Sequence, residues 1–146
     1  MVHGGGWVGG DKESLRPFMN YFSQKGLVCI SIEYRLAPKS TSPTQLADVK
    51  CAVRWLRANA ANYHVDTSRI GALGGSAGAH LTALLGTTNG ERKWEGSGGN
   101  PKQSSAISAM ICMSGAYDLP MAYENSVHQK ESEGKSVRGM LSSHAE

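Results

Sequence analysis

The chain has 146 residues, 40% of them hydrophobic and 18% charged, with a formal net charge of +3. One domain of that length buries roughly two-thirds of its unfolded surface. The basic residues are scattered, with no Lys/Arg block, so nothing points to nucleic acid. No apolar run approaches the ~20 residues of a membrane span.

The first motif stands at the start: His3-Gly4-Gly5-Gly6-Trp7. Three consecutive glycines expose backbone N–H groups with no side chain in the way, which suits donors to an oxyanion. A flexible glycine linker is the plainer reading, but His3 and Trp7 are rare flanks for a linker. Ser14 to Lys25 follows as a helix, with Leu15, Phe18, Met19 and Phe22 on one face. Pro17 is tolerated in its first turn, and Gly26 is a fitting stop. Leu27 to Ile32 is apolar and β-branched, and reads as a strand buried on both faces of a parallel sheet. Glu33 to Pro43 is a loop containing Tyr34-Arg35-Leu36-Ala37-Pro38, in which Tyr34 and Arg35 read as structural. Thr44 to Tyr63 is the strongest helix, with Leu46, Val49, Val53, Leu56 and Ala60 on one face and Asp48, Arg54 and Arg57 mostly off it. The strand, this helix and the next strand, Ile70 to Leu73, make a right-handed βαβ unit with parallel strands. Asp66 and Arg69, at the entry to that strand, read as a structural ion pair.

The strand runs into Gly74-Gly75-Ser76-Ala77-Gly78, which fits G-x-S-x-G, and a helix from Ala77 to Leu85 begins at once. That strand–turn–helix context is what a nucleophile elbow requires. Small residues are needed at Gly74 and Gly78 because strand and helix approach closely. The helix N-terminus points N–H groups towards the serine. A plain glycine-rich turn with a serine N-cap fits G-x-S-x-G equally well on its own; the glycine run at the start decides between them. Thr87 to Ser105 is a surface loop or insertion anchored by Trp94, and Ala106 to Met113 is the next buried strand. Cys29 and Cys112 sit inside predicted strands and Cys51 on a helix, with no metal-ligand spacing. The three read as small apolar core residues of a reducing compartment, or as free thiols.

HGGGW, YRLAP and GGSAGAH, in this order, resemble the α/β-hydrolase superfamily, in particular the hormone-sensitive-lipase-like esterases and their carbohydrate-esterase relatives. The resemblance implies an α/β fold with a mostly parallel sheet flanked by helices. It implies Ser76 as nucleophile, with an oxyanion hole from the amides of Gly5, Gly6 and Ala77, and Gly4 as a further member. His3, Trp7, Gly74, Gly75 and Gly78 support the two motifs. It implies a small-molecule ester as substrate, and neither metal nor organic cofactor. The substrate stays open between acetyl, feruloyl or xylan-type esters and general lipids. Arylformamidases, prolyl-oligopeptidase-type peptidases and inactive hormone receptors carry related patterns.

A serine hydroxyl needs a histidine base and an orienting carboxylate, in the chain order Ser, Asp or Glu, His. His80 shares a helix with Ser76 and is not expected to reach its hydroxyl. Asp118 comes one strand too early for the family's acid. His128 and His144 lie in a polar segment, Glu124 to Glu146, which the resemblance assigns to a variable connection or lid. Residues 1–146 are therefore expected to be a partial α/β-hydrolase domain, the central portion. It holds nucleophile and oxyanion hole without the triad Asp and His, and has at best residual activity. Only Met1 and Val2 precede the glycine loop, where the family has a strand and more before it. No signal peptide is visible, and the expected loss of upstream sequence makes that weak evidence about compartment.

Overall fold

The computed structural model describes residues 1–128 and Met140. A 3-10 turn, Lys12–Leu15, leads into α1 (Arg16–Ser23); then come α2 (Thr44–Ala58), a 3-10 turn (Ala60–Tyr63), β1 (Gly71–Gly75), α3 (Ala77–Thr87), β2 (Ala109–Met113) and α4 (Leu119–His128). β1 and β2 pair in parallel, Gly71 opposite Ala109 through Gly75 opposite Met113. Val2 makes parallel bridges to both Gly74 and Ile32, and its amide donates to Leu73 O at 2.8 Å. The chain segments therefore stand side by side in the order Ile32, Val2, β1, β2, all parallel. Such an arrangement, with helices as the crossovers, is that of an incomplete α/β sheet.

Two expectations about strands change. Leu27 to Ile32 is not a strand buried on both faces. Only Ile32 bridges, and Leu27 and Val28 are 54% and 51% exposed. A strand is a paired state, and among the described residues this segment pairs only with Met1 and Val2: Ile32 N–H donates to Met1 O. The strand expected from Ala106 begins at Ala109, and its residues Ala109, Met110 and Ile111 are exposed along an edge that no other described strand pairs with. For the same reason the expected βαβ unit has Val2 inserted between its two strands.

The helices differ mainly at their ends. The first begins as a 3-10 turn capped by Asp11, whose Oδ1 accepts the Glu13 and Ser14 amides at 2.9 and 3.1 Å. Among α1 residues none is buried, although Leu15 just before it is. The long helix ends at Ala58 and continues as a 3-10 turn to Tyr63. The helix after Ser76 extends to Thr87 and is buried at Ala77 through Thr82 and at Leu85, as a helix apolar on most sides should be. The core gathers Val2, Trp7, Tyr34, Leu46, Val49, Ala77, Leu81, Leu85 and Met140. Each large apolar side chain there contributes roughly 1.5–3 kcal/mol by leaving water.

The connection after α3 is fastened by cations of α2. Arg54, read as lying off the core face, is 2% exposed, and Lys50 is fully buried. Lys50 Nζ donates to Thr88 O, Glu95 Oε1 and Ser105 Oγ at 2.9, 3.1 and 3.2 Å. Arg54 reaches Gly98 O, Gly99 O and the Glu95 carboxylate. Arg57 reaches Thr67 O, Ser104 O and Ala106 O. Trp94 packs on the core beside them, as expected of an anchor. All three cysteines are free and partly buried, and Cys29 lies outside any strand.

Candidate active site

Ser76 sits where β1 turns into α3, at φ 52°, ψ −121°. A non-glycine residue there is strained by about 1–3 kcal/mol, and such strain persists only where the surroundings enforce it. Three hydrogen bonds do so. The Ser76 amide donates to Met113 O at 2.8 Å, continuing the β1–β2 ladder one residue past its end. The Ser76 carbonyl accepts the Ala79 and His80 amides at 2.9 and 3.2 Å, opening the helix. The side chain is exposed and does not cap the helix, so the hydroxyl is left available.

The glycines around it are packing requirements. A Cβ on Gly74 would fall on the Gly78 carbonyl, with Thr82 Oγ1 at 2.6 Å. A Cβ on Gly78 would fall on the carbonyl of Val2 and reach His3 O at 2.5 Å. Gly74 thus admits the helix to its own strand, as expected. Gly78 admits it to the neighbouring segment that leads into the glycine loop. By that approach the two motifs come into contact. A Cβ built on Gly4 would stand 3.0 Å from Gly75 O and 3.3 Å from Ser76 Cβ.

The loop itself is a tight turn. Gly5 has φ 111°, and both Val8 and Gly9 amides donate to its carbonyl, at 3.2 and 3.0 Å; a side chain on Gly5 would strike the Gly9 carbonyl. His3, fully buried, controls the next peptide. Its Nδ1 lies 2.7 Å from Gly4 O. A carbonyl only accepts, so Nδ1 carries the proton. Across a trans peptide C=O and N–H point in opposite directions, so this bond turns the Gly5 N–H away from the imidazole. Nε2 is 3.5 Å from Glu33 Oε2 without a hydrogen bond.

Tyr34 holds His3 in turn. The rings stack at 4.3 Å and 12°, and the phenol donates to His3 O at 3.1 Å. Burial first, and then the Glu33 charge, push its pKa up to about 12, so it stays a donor at ordinary pH. Arg35 clasps Asp48 of α2 through Nε and Nη2, at 2.9 and 2.7 Å. The structural reading of Tyr34 and Arg35 therefore has definite partners. Trp7, at the far end of the loop, is buried at φ 62° and accepts the Ala37 amide at 2.9 Å. His80 is buried against it, and burial lowers the His80 pKa.

The other candidates lie elsewhere. Asp118 caps α4, its Oδ1 accepting Met121 N–H at 2.9 Å. Asp66 pairs with Arg69 at 2.6 Å on the surface. His128 ends α4, and His144 lies outside the described residues. Sequence reasoning missed Met113, whose carbonyl pins the elbow; only a strand register would have found it. Among the described residues no three His, Cys, Asp or Glu side chains cluster to hold a metal, and no helix is long and apolar enough to cross a membrane.

With this geometry in view the comparisons are consistent. The BD-FAE family model matches residues 1–145. The chain is 32% identical over 119 residues to the probable carboxylic ester hydrolase LipM of Mycobacterium tuberculosis, covering 81% of this chain and 27% of LipM. A bifunctional GH43-CE protein of Bacteroides eggerthii superposes with a TM-score of 0.80 at 35% identity, over 84% of this chain and 17% of that one. The propionate-bound esterase Est2 of Thermogutta terrifontis gives 0.74 at 31% identity, over 97% and 50%. The chain thus spans between about a sixth and a half of the length of these relatives. It belongs to the BD-FAE family, within the α/β-hydrolase esterases related to hormone-sensitive lipase and the carbohydrate esterases.

Proposed function

We propose that the protein is a carboxylic ester hydrolase in which Ser76 attacks the acyl carbonyl and forms an acyl-enzyme. The amides of Gly5, Gly6 and Ala77, with Gly4 as a further member, hold the oxyanion of the tetrahedral intermediate. The observation that carries this reading is the contact between the motifs: a Cβ built on Gly4 would press on the Gly75 carbonyl and on Cβ of a strained, exposed Ser76. Each oxyanion donor is worth about 3 kcal/mol of barrier in such sites. Its value depends on being fixed before the reaction, and the His3 bond to Gly4 O does that for the Gly5 amide.

The base that deprotonates Ser76 and the acid that orients it are assigned to residues other than those described. His80 is engaged with Trp7, and Asp118 with the α4 cap. The names of the relatives support ester substrates, and a truncated carbohydrate esterase from gut microbiota, 31% identical, extends this to esters on carbohydrates. The test is hydrolysis of p-nitrophenyl acetate by the full-length gene product. Ser76→Ala is expected to lower kcat by roughly a millionfold, to the level left by binding and the oxyanion hole. An unchanged rate would refute the assignment.

A further inference from the structure

The last residue of the glycine loop is held in an unusual way. Trp7 adopts φ 62°, a region that bulky side chains avoid unless something compels them. Its carbonyl is tied to the Ala37 amide. Its indole meets the His80 ring edge-on, with centroids 5.4 Å apart and planes at 90°, a favoured aromatic geometry. Both side chains are buried. Within this contact Trp7 Nε1 and His80 Nδ1 have no hydrogen-bond partner among the described residues. What the pair supplies is the edge-on meeting of two rings.

His80 stands one turn along α3 from Ser76, and its amide is bonded to the Ser76 carbonyl. A push on the His80 ring is thus felt at the elbow, and a push on Trp7 is felt in the glycine loop. Resting on the esterase reading above, we propose that His80 is a positioning residue whose ring braces Trp7 and sets the spacing between Ser76 and the loop amides. The ring's shape performs this.

The test uses the full-length gene product and p-nitrophenyl acetate, with kcat and KM measured for His80→Ala, His80→Phe, Trp7→Ala and the double alanine variant. Thermal melting establishes that each is folded at the assay temperature. Misplacing reacting groups by about an ångström costs on the order of 100-fold, so His80→Ala is expected to lose about 10- to 100-fold in kcat with KM nearly unchanged. His80→Phe, which keeps a ring edge and removes both nitrogens, recovers most of the loss. The double variant is no slower than the slower single, because both singles break one contact. A phenylalanine variant as slow as the alanine variant, additive single effects, or a loss confined to KM overturns the brace. If His80→Ala does not fold, His80→Phe is compared with His80→Gln, and the proposal fails unless Phe is faster. Ser76→Ala run alongside separates the two claims: if it is inactive while His80→Ala keeps full kcat, only the brace fails; if it is fully active, the esterase reading fails with it.

Discussion

The two ends of the parallel strands are built differently. At the C-terminal ends of β1 and Val2, backbone presses on backbone. Gly74 meets Gly78, Gly78 meets Val2, and Gly4 meets Gly75 and Ser76. At the N-terminal ends, apolar side chains face an open groove of about 280 Å³ whose walls include Leu27, Val28, Met110 and Ile111. These four are about half exposed. The first end is closed by contacts that the local sequence dictates. The second displays apolar side chains that the described residues leave about half exposed. The glycine loop and the Ser76 turn can thus be set against each other on a sheet only partly covered by the described residues, because glycine-permitted main-chain contact and the buried side chains of His3, Tyr34, Trp7 and His80 hold that end.

That contrast can be broken at graded cost. The largest effect belongs to the loop: Gly5→Ala forces a side chain onto the Gly9 carbonyl at φ 111°. Losing one oxyanion donor typically costs 10²–10³ in kcat; with the Gly5 amide in its proposed role, p-nitrophenyl acetate turnover by the full-length product is expected to fall by about that much. Next, Gly78→Ala puts a methyl on the Val2 carbonyl and is expected to cost about 3 kcal/mol, the upper range of overpacking. Gly99→Ala, with open space at its Cβ position, is expected to stay within about 0.5 kcal/mol. Urea denaturation of the two variants checks the difference.

A smaller loss is expected from Glu95→Ala. Removing it leaves buried Lys50 and Arg54 without their carboxylate. Breaking a buried pair costs 3–5 kcal/mol, and partial exposure of Glu95 reduces this to about 2 kcal/mol. Burial opposes ionisation of Glu95, but hydrogen bonds from Ser105, Lys50 and Arg54 and the Lys50 charge outweigh it and lower its pKa from 4.5. A folded pKa below the unfolded one stabilises above the unfolded value and is lost as pH falls through the folded value. The wild type should therefore shed this stability below about pH 4.5, and Glu95→Gln should lack that component of the acid transition. The smallest effect tests the open end. Ile111→Ala in the 146-residue chain should cost under about 1 kcal/mol, against 2–5 kcal/mol for buried Leu81→Ala. Equal losses would mean that the groove is filled.

What the sequence disclosed follows the same division. The elbow and its helix were legible because G-x-S-x-G between an apolar run and a helical pattern is a local instruction. The helix over Thr44 to Tyr63 was legible from its periodicity, although its α-helical part ends at Ala58 and the last turn is 3-10. Leu27 to Ile32 misled because a β-branched run records a preference, while a strand needs a partner paired along its length, and here only Ile32 is bridged. The burial of Lys50 and Arg54 was hidden for a related reason: helical position alone marks a cation as facing water, unless a later segment brings carbonyls and a carboxylate to meet it. The dependence of His3 on Tyr34 joins residues thirty-one apart in sequence and has no local mark at all.

The fastening of the 88–106 connection has a consequence for how this protein tolerates change. Lys50, Arg54 and Arg57 grip it mostly by main-chain oxygens, those of Thr88, Gly98, Gly99, Ser104 and Ala106. Any amino acid offers such an oxygen. Apart from Asn89, Trp94, Glu95, Ser105 and the glycines laid flat over Ala47 and Cys51, the outward residues of this stretch are free to drift while its course over the helix is kept. New surface character could accumulate there without disturbing the serine at the other end of the strands.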